Sequence, residues 1–230
     1  MREIVLDTET TGLDPATGDR LVEIGCIELI NHMPSGNDLH LYVNPERDMP
    51  PEAFRVHGLS EAFLADKPLF AEVVDEFLAF IGEDRLIIHN AAFDMKFLNA
   101  ELARLKRPPL PMSRALDTLR MAQARFPGAQ ASLDALCRRF GVDTSSRTKH
   151  GALIDCVLLA EVYLELIGGR EPGLALSADK RRDGAAVQVA RPFRAPRPHA
   201  ASPEELAAHE EFLKKVKDPI WRRDAPNPPS

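Results

Sequence analysis

Glu3-Ile4-Val5-Leu6-Asp7-Thr8-Glu9-Thr10-Thr11-Gly12 is the stretch on which the fold class turns. Three consecutive apolar residues, Ile4 to Leu6, begin a short apolar strand. Alternation then places Asp7 and Glu9 on one face of the same strand. Gly12 and the threonines around the pair make a tight polar exit, so the two carboxylates stand at a strand end. Ligands bind at strand ends in α/β sheets. Like charges this close repel, and the arrangement is costly unless a cation sits between them. Taken alone, the pair fits a solvated turn rich in Asp and Thr equally well.

Working outward, Leu21 to Ile30 and Leu39 to Asn44 read as two further strands. Short turn-rich pieces such as Pro34-Ser35-Gly36-Asn37 join them and suggest an antiparallel meander. Phe70 to Ile81 carries Phe70, Val73, Val74, Phe77, Leu78 and Ile81 at helical spacing. Arg85 to His89 is a fourth strand with a helix, Phe93 to Leu105, behind it, and Ala115 to Thr118 is a fifth strand. Ser132 caps a helix that ends before Gly141, and a last helix runs from Ala152 to Ile167. A meander followed by strand–helix alternation predicts an α/β fold with a mixed five-stranded sheet flanked by helices.

The 230 residues carry a formal net charge of −6, with the acidic excess in the first 177 and a basic balance after them. An acidic body argues against a protein that grips many phosphates along a duplex, which needs a basic face. It does not exclude an enzyme that handles a few nucleotides through bound cations. The three cysteines, Cys26, Cys137 and Cys156, are too far apart for a thiolate zinc site or a disulfide framework. No apolar run approaches the ~20 residues of a membrane span, and the first residues lack a signal-peptide core. A reducing, cytoplasmic setting is expected.

Two more elements carry chemistry. Asp94 follows the strand-to-helix passage Ile87-Ile88-His89-Asn90-Ala91-Ala92-Phe93, at the same kind of location as Asp7. It is either a partner for the helix dipole or a third ligand. His89 and Asn90 satisfy local backbone groups or meet a substrate phosphate or sugar. In His150-Gly151-Ala152-Leu153-Ile154-Asp155, a five-residue offset turns about 140° around a helix. His150 can therefore work with Asp155 only from the preceding polar loop, Ser145 to Lys149. Four carboxylates at strand or helix starts, Asp7, Glu9, Asp94 and Asp155, suit a pair of magnesium or manganese ions. Two such ions ~4 Å apart clamp a phosphodiester and activate water. A histidine can accept that water's proton. The residues by themselves point to metal-dependent phosphodiester hydrolysis.

The ordered segments DTETTG, HNAAFD and HGALID resemble the three motifs of the DEDDh group of 3′→5′ exonucleases. The stretches VHGLS, LIIHNAAFDMKFL and TKHGALIDCVLLAEVYLELIGG resemble the branch of that group that proofreads for bacterial replicative DNA polymerases. This likeness covers residues 3–169. It implies a ribonuclease-H-like fold, two divalent metal ions on Asp7, Glu9, Asp94 and Asp155, and His150 as general base. It also implies that His57 and Thr10 contact the 3′-terminal nucleotide, beside the ligands Asp7, Glu9 and Asp155. Proofreading of a single-stranded 3′ DNA end follows, with release of deoxynucleoside monophosphates. An RNA 3′ exonuclease of the same group and a structural adaptor of the replicase remain the alternatives.

Beyond the exonuclease domain, 1–169, the composition predicts a flexible linker over 170–201 and a docking tail over 202–230. The tail opens with the capping box Ser202-Pro203-Glu204-Glu205, continues with Leu206, Phe212, Leu213 and Val216, and holds the only tryptophan, Trp221. It reads as a frayed terminal helix or a partner-docking peptide. The resemblance assigns it to the polymerase (alpha) subunit. Glu171 to Leu176 is similar to a sliding-clamp-binding hexapeptide, with Glu171 where a glutamine is usual, and a small accessory subunit is a further partner of that branch.

Overall fold

The computed structural model describes residues 1–145, 149–169, 200–217 and 219. By internal contacts the chain divides into two compact units, Met1–Leu176 and Ser177–Ser230. In the first unit the chain runs β1 (Arg2–Thr10), β2 (Leu21–Ile30), β3 (Met33–Tyr42), α1 (Pro51–His57), α2 (Glu61–Leu64), α3 (Phe70–Ile81), β4 (Arg85–Ile88), α4 (Ala91–Arg104), β5 (Ala115–Asp117), α5 (Thr118–Arg125), α6 (Leu133–Phe140) and α7 (Ala152–Ile167). The sheet order is β3-β2-β1-β4-β5. β1 pairs antiparallel with β2 and parallel with β4, which makes the sheet mixed.

Period-two alternation along β1 divides the core. Ile4 and Leu6 join a cluster with Phe77 of α3 and Phe97 of α4 on one side of the sheet. Val5 joins Cys156, Leu159 and Tyr163 of α7 on the other. Ile4, Val5 and Leu6 are fully buried. Full burial of an aliphatic side chain of this size contributes about 1.5–3 kcal/mol. Asp7 and Glu9 continue the α7-facing series, so the same alternation that builds the core aims both carboxylates at the start of α7.

The β2–β3 connection differs from expectation. The turn falls at Asn31-His32, with φ of 51° and 68°, and Pro34 to Asn37 belong to β3. Two left-handed central residues match the twist of a two-residue hairpin. Because β3 is the edge strand, Pro34's missing N–H costs the sheet little. Sequence reading also missed α1, α2 and α5. α1 starts with Pro51 and stops at Gly58 (φ 76°), and Asp117 caps α5 through Leu119 and Arg120 N–H.

In the second unit, α8 (Pro203–Lys215) has the expected capping box. Ser202 Oγ accepts from Glu205 N at 3.2 Å, and Glu205 Oε2 accepts from Ser202 N at 2.8 Å. Trp221, the Glu171–Leu176 segment and residues 146–148 of the polar loop lie outside the described residues. No helix among the described residues is long and apolar enough to cross a membrane.

Candidate active site

Asp7 and Glu9 are half-buried at the end of β1, opposite Gly25 and Glu23 of β2. Gly25 explains how α7 reaches them. A Cβ there would lie 2.4 Å from the Ala152 carbonyl carbon and 2.5 Å from Leu153 N. With no side chain in the way, the first turn of α7 descends onto the sheet and carries Asp155 with it. Asp155 is 5% exposed. On the other side of β1, Thr8 Oγ1 donates a 2.7 Å bond to Asp94 Oδ1, which holds that buried carboxylate at the start of α4.

His150 sits on the approach to α7, and its Nδ1 lies 3.2 Å from Asp155 Oδ2. With the carboxylate accepting, Nδ1 carries the hydrogen and Nε2 remains the basic nitrogen. Ligand atoms of Glu9, His150 and Asp155 all lie within 4.8 Å of one another. Burial raises the Asp7 pKa well above the usual range, and the charges of Asp94, Glu9, Asp155 and Glu23 add to it. Burial likewise lifts Asp94 to about 7, against the pull of the Thr8 bond. A carboxylate cluster this crowded suits a hard divalent cation, which lowers the cost of keeping all of them charged.

Glu9 is shared with a cavity of about 460 Å³, lined also by Thr10, Glu52, Val56, His57 and Phe93. Its apolar wall and few polar groups are the make-up of a small-molecule site. His57 is the buried last residue of α1, immediately before Gly58. Its Nδ1 accepts from Leu59 N at 3.0 Å, so the hydrogen is on Nε2. Among the described residues no group meets hydrogen-bond geometry with that nitrogen. Burial lowers the His57 pKa, opposed by the Glu23 carboxylate and the Thr10 carbonyl, so the neutral ring is kept as a donor.

Asn90 stands apart. It is exposed, left-handed (φ 65°) at the start of α4, and its N–H donates to Asp117 Oδ1 at 3.2 Å. His89 is paired locally, with Nδ1 2.9 Å from Thr118 Oγ1. Sequence reading missed Glu23 and Glu52. Glu23 is buried, with Oε1 accepting from His40 Nε2 at 2.6 Å. Its one local signal is a carboxylate set directly between the apolar Val22 and Ile24.

A mixed sheet with four carboxylates and a histidine gathered at the end of its central strand defines a metal-dependent nuclease of the exonuclease class. The exonuclease (RNase T) family model matches residues 4–163. The DNA polymerase III subunit epsilon of Rickettsia felis is 50% identical over 231 residues, covering 94% of this chain and 97% of that protein. The epsilon subunit of Escherichia coli K12 is 43% identical over 96% of this chain and 97% of its own length. Among solved structures, exonuclease X in complex with 5′-overhanging duplex DNA superposes with a TM-score of 0.58 at 26% identity, over 72% of this chain and 90% of that one. The chain belongs to the exonuclease family, among the DNA polymerase III epsilon subunits. It is a metal-dependent 3′→5′ exonuclease.

Proposed function

We propose that the chain removes nucleotides one at a time from a single-stranded 3′ DNA end, editing for the replicative polymerase of which it is a subunit. The observation that carries this reading is the meeting of Glu9, His150 and Asp155 within 4.8 Å at the edge of the cavity. Asp7, Glu9, Asp94 and Asp155 supply the oxygen ligands for two magnesium or manganese ions. When bound, such ions stabilise the developing charge on the phosphate and acidify a water.

The chain's own groups do the rest. The cavity seats the terminal nucleotide, with Val56 and Phe93 against its apolar faces and His57 Nε2–H and Thr10 toward its polar atoms. His150 Nε2 takes the proton of the attacking water, while Asp155 holds the ring through Nδ1. Selection of mispaired ends needs no base readout, because a mispaired end frays and reaches the site more often. The body is acidic, so affinity for DNA comes less from phosphate contacts than from tethering, which raises effective concentration. The tail, 202–230, supplies the tether to the polymerase subunit, and residues 1–169 are the exonuclease domain. Likeness to epsilon subunits along nearly the whole chain favours DNA over RNA as substrate. The Glu171–Leu176 clamp segment and a small accessory subunit belong to the same reading.

A 5′-labelled DNA primer with a mismatched 3′ end tests it. In magnesium the label should shorten one nucleotide at a time. No shortening by the folded protein, or equal loss of an all-ribose strand, would overturn the reading.

A further inference from the structure

We infer that Lys149 is a positioning residue for the hydrolysis, clasping the His150 segment to α1, the helix that forms one wall of the cavity. The inference rests on the reading of His150 as the general base.

Successive residues make the clasp. Lys149 Nζ lies 4.9 Å from the centroid of the Phe54 ring. Its stem crosses the end of α1: a Cβ on Gly58 would lie 2.6 Å from Lys149 Cδ and 2.8 Å from Nζ. The next residue continues the contact, since His150 N donates to Val56 O at 3.3 Å. Phe54, Val56 and Gly58 thus receive Lys149 and His150 along the last turn of one helix, and Ala53, Val56 and His57 of that turn line the cavity.

The consequence concerns what holds His150 during reaction. It precedes α7 and its side chain is 46% exposed, so helix hydrogen bonding does not place the imidazole. The ring leans on Asp155 Oδ2, yet Asp155 is also a proposed metal ligand. An oxygen drawn toward a cation holds the imidazole less firmly. The clasp to α1 does not depend on that oxygen. A nucleotide seated against Ala53, Val56 and His57 steadies α1, and through Lys149 and the Val56 carbonyl it steadies the base as well. Seating of substrate and placement of the base therefore share one element.

The experiment uses the full chain, a single-stranded oligodeoxynucleotide and magnesium. Lys149→Ala should lower kcat roughly two- to fivefold, the scale of an exposed cation over an aromatic ring, with KM unchanged. Lys149→Arg should restore the rate, and Lys149→Met should not. Phe54→Leu should produce a similar loss, and the double variant should be no worse than either single one. In a His150→Ala background, Lys149→Ala should cost nothing further. Because Lys149 is exposed, melting temperatures should stay at the parent value. An equal loss with and without His150, or a loss confined to KM and deepened by salt, would overturn the clasp and make Lys149 a direct phosphate contact. An unimpaired His150→Ala enzyme would instead remove the base assignment, and the clasp's purpose with it.

Discussion

Gly25 stands directly across the β1–β2 ladder from Asp7, and the backbone of Ala152 and Leu153 fills the space its side chain would take. This close approach brings two carboxylates more than a hundred residues apart to one point. Gly25→Ala puts a methyl group against main chain that has no rotamer to yield. Overpacking of this kind costs about 1–3 kcal/mol. The variant should melt lower and bind manganese more weakly, as read by thermal melting and metal titration. Unchanged metal affinity would mean that α7 reaches Asp7 some other way.

The crowded carboxylates set a pH dependence. Asp94 titrates at about 7 in the fold against an ordinary 3.8, and Asp7 is raised too. Both therefore bind protons more tightly folded than unfolded. The stability Asp94 contributes is complete below the unfolded value and lost as pH rises from about 4 through 7, and that of Asp7 falls in the same direction. Magnesium should raise the melting temperature more at about pH 8 than at about pH 5. Asp94→Asn should shrink that difference. A metal effect equal at both pH values would contradict a formed site.

His150 can be removed without touching the core, since its side chain is 46% exposed. His150→Ala should keep the parent melting curve and lower kcat roughly 10²- to 10⁴-fold. Single-turnover hydrolysis of an oligodeoxynucleotide separates that loss from product release.

His57 carries its hydrogen on a buried Nε2 that no described group accepts from in good geometry. On the proposed reading a nucleotide acceptor would satisfy it, and His57→Phe, which keeps a ring without the donor, should weaken binding of a deoxynucleoside monophosphate roughly tenfold. Unchanged affinity in a calorimetric titration would place the nucleotide elsewhere.

The two compact units divide at Leu176. A chain ending at Gly169 should degrade single-stranded DNA at the parent kcat and fail to co-purify with the polymerase subunit. Retained co-purification would relocate the docking surface to the exonuclease domain.

Local order explains how much could be read in advance. The alternation through Ile4 to Glu9, the apolar spacing of Phe70 to Ile81 and the run from Ala152 to Ile167 each record a burial pattern within one element. Their strand and helices fall where the spacing predicts. Asp7, Glu9, Asp94 and Asp155 were legible for a similar reason, as carboxylates at the ends or starts of apolar elements. The hairpin at Asn31-His32 was less visible, because Pro34-Ser35-Gly36-Asn37 offers stronger turn chemistry nearby. The edge position of β3, a property of the whole sheet, resolves that competition.

Other features exist only between distant segments. Gly25 is an unremarked residue in a strand until α7 packs on it. Glu23 is a single acid among apolar neighbours until the sheet sets it opposite Glu9. α1 is short, and its meaning as a cavity wall depends on Lys149 and His150 returning to it from far along the chain. Residue identity and spacing specify which groups can perform the chemistry, because periodic burial is a local property. Which of them meet, and what holds them, depends on contacts whose sequence separation leaves no local pattern.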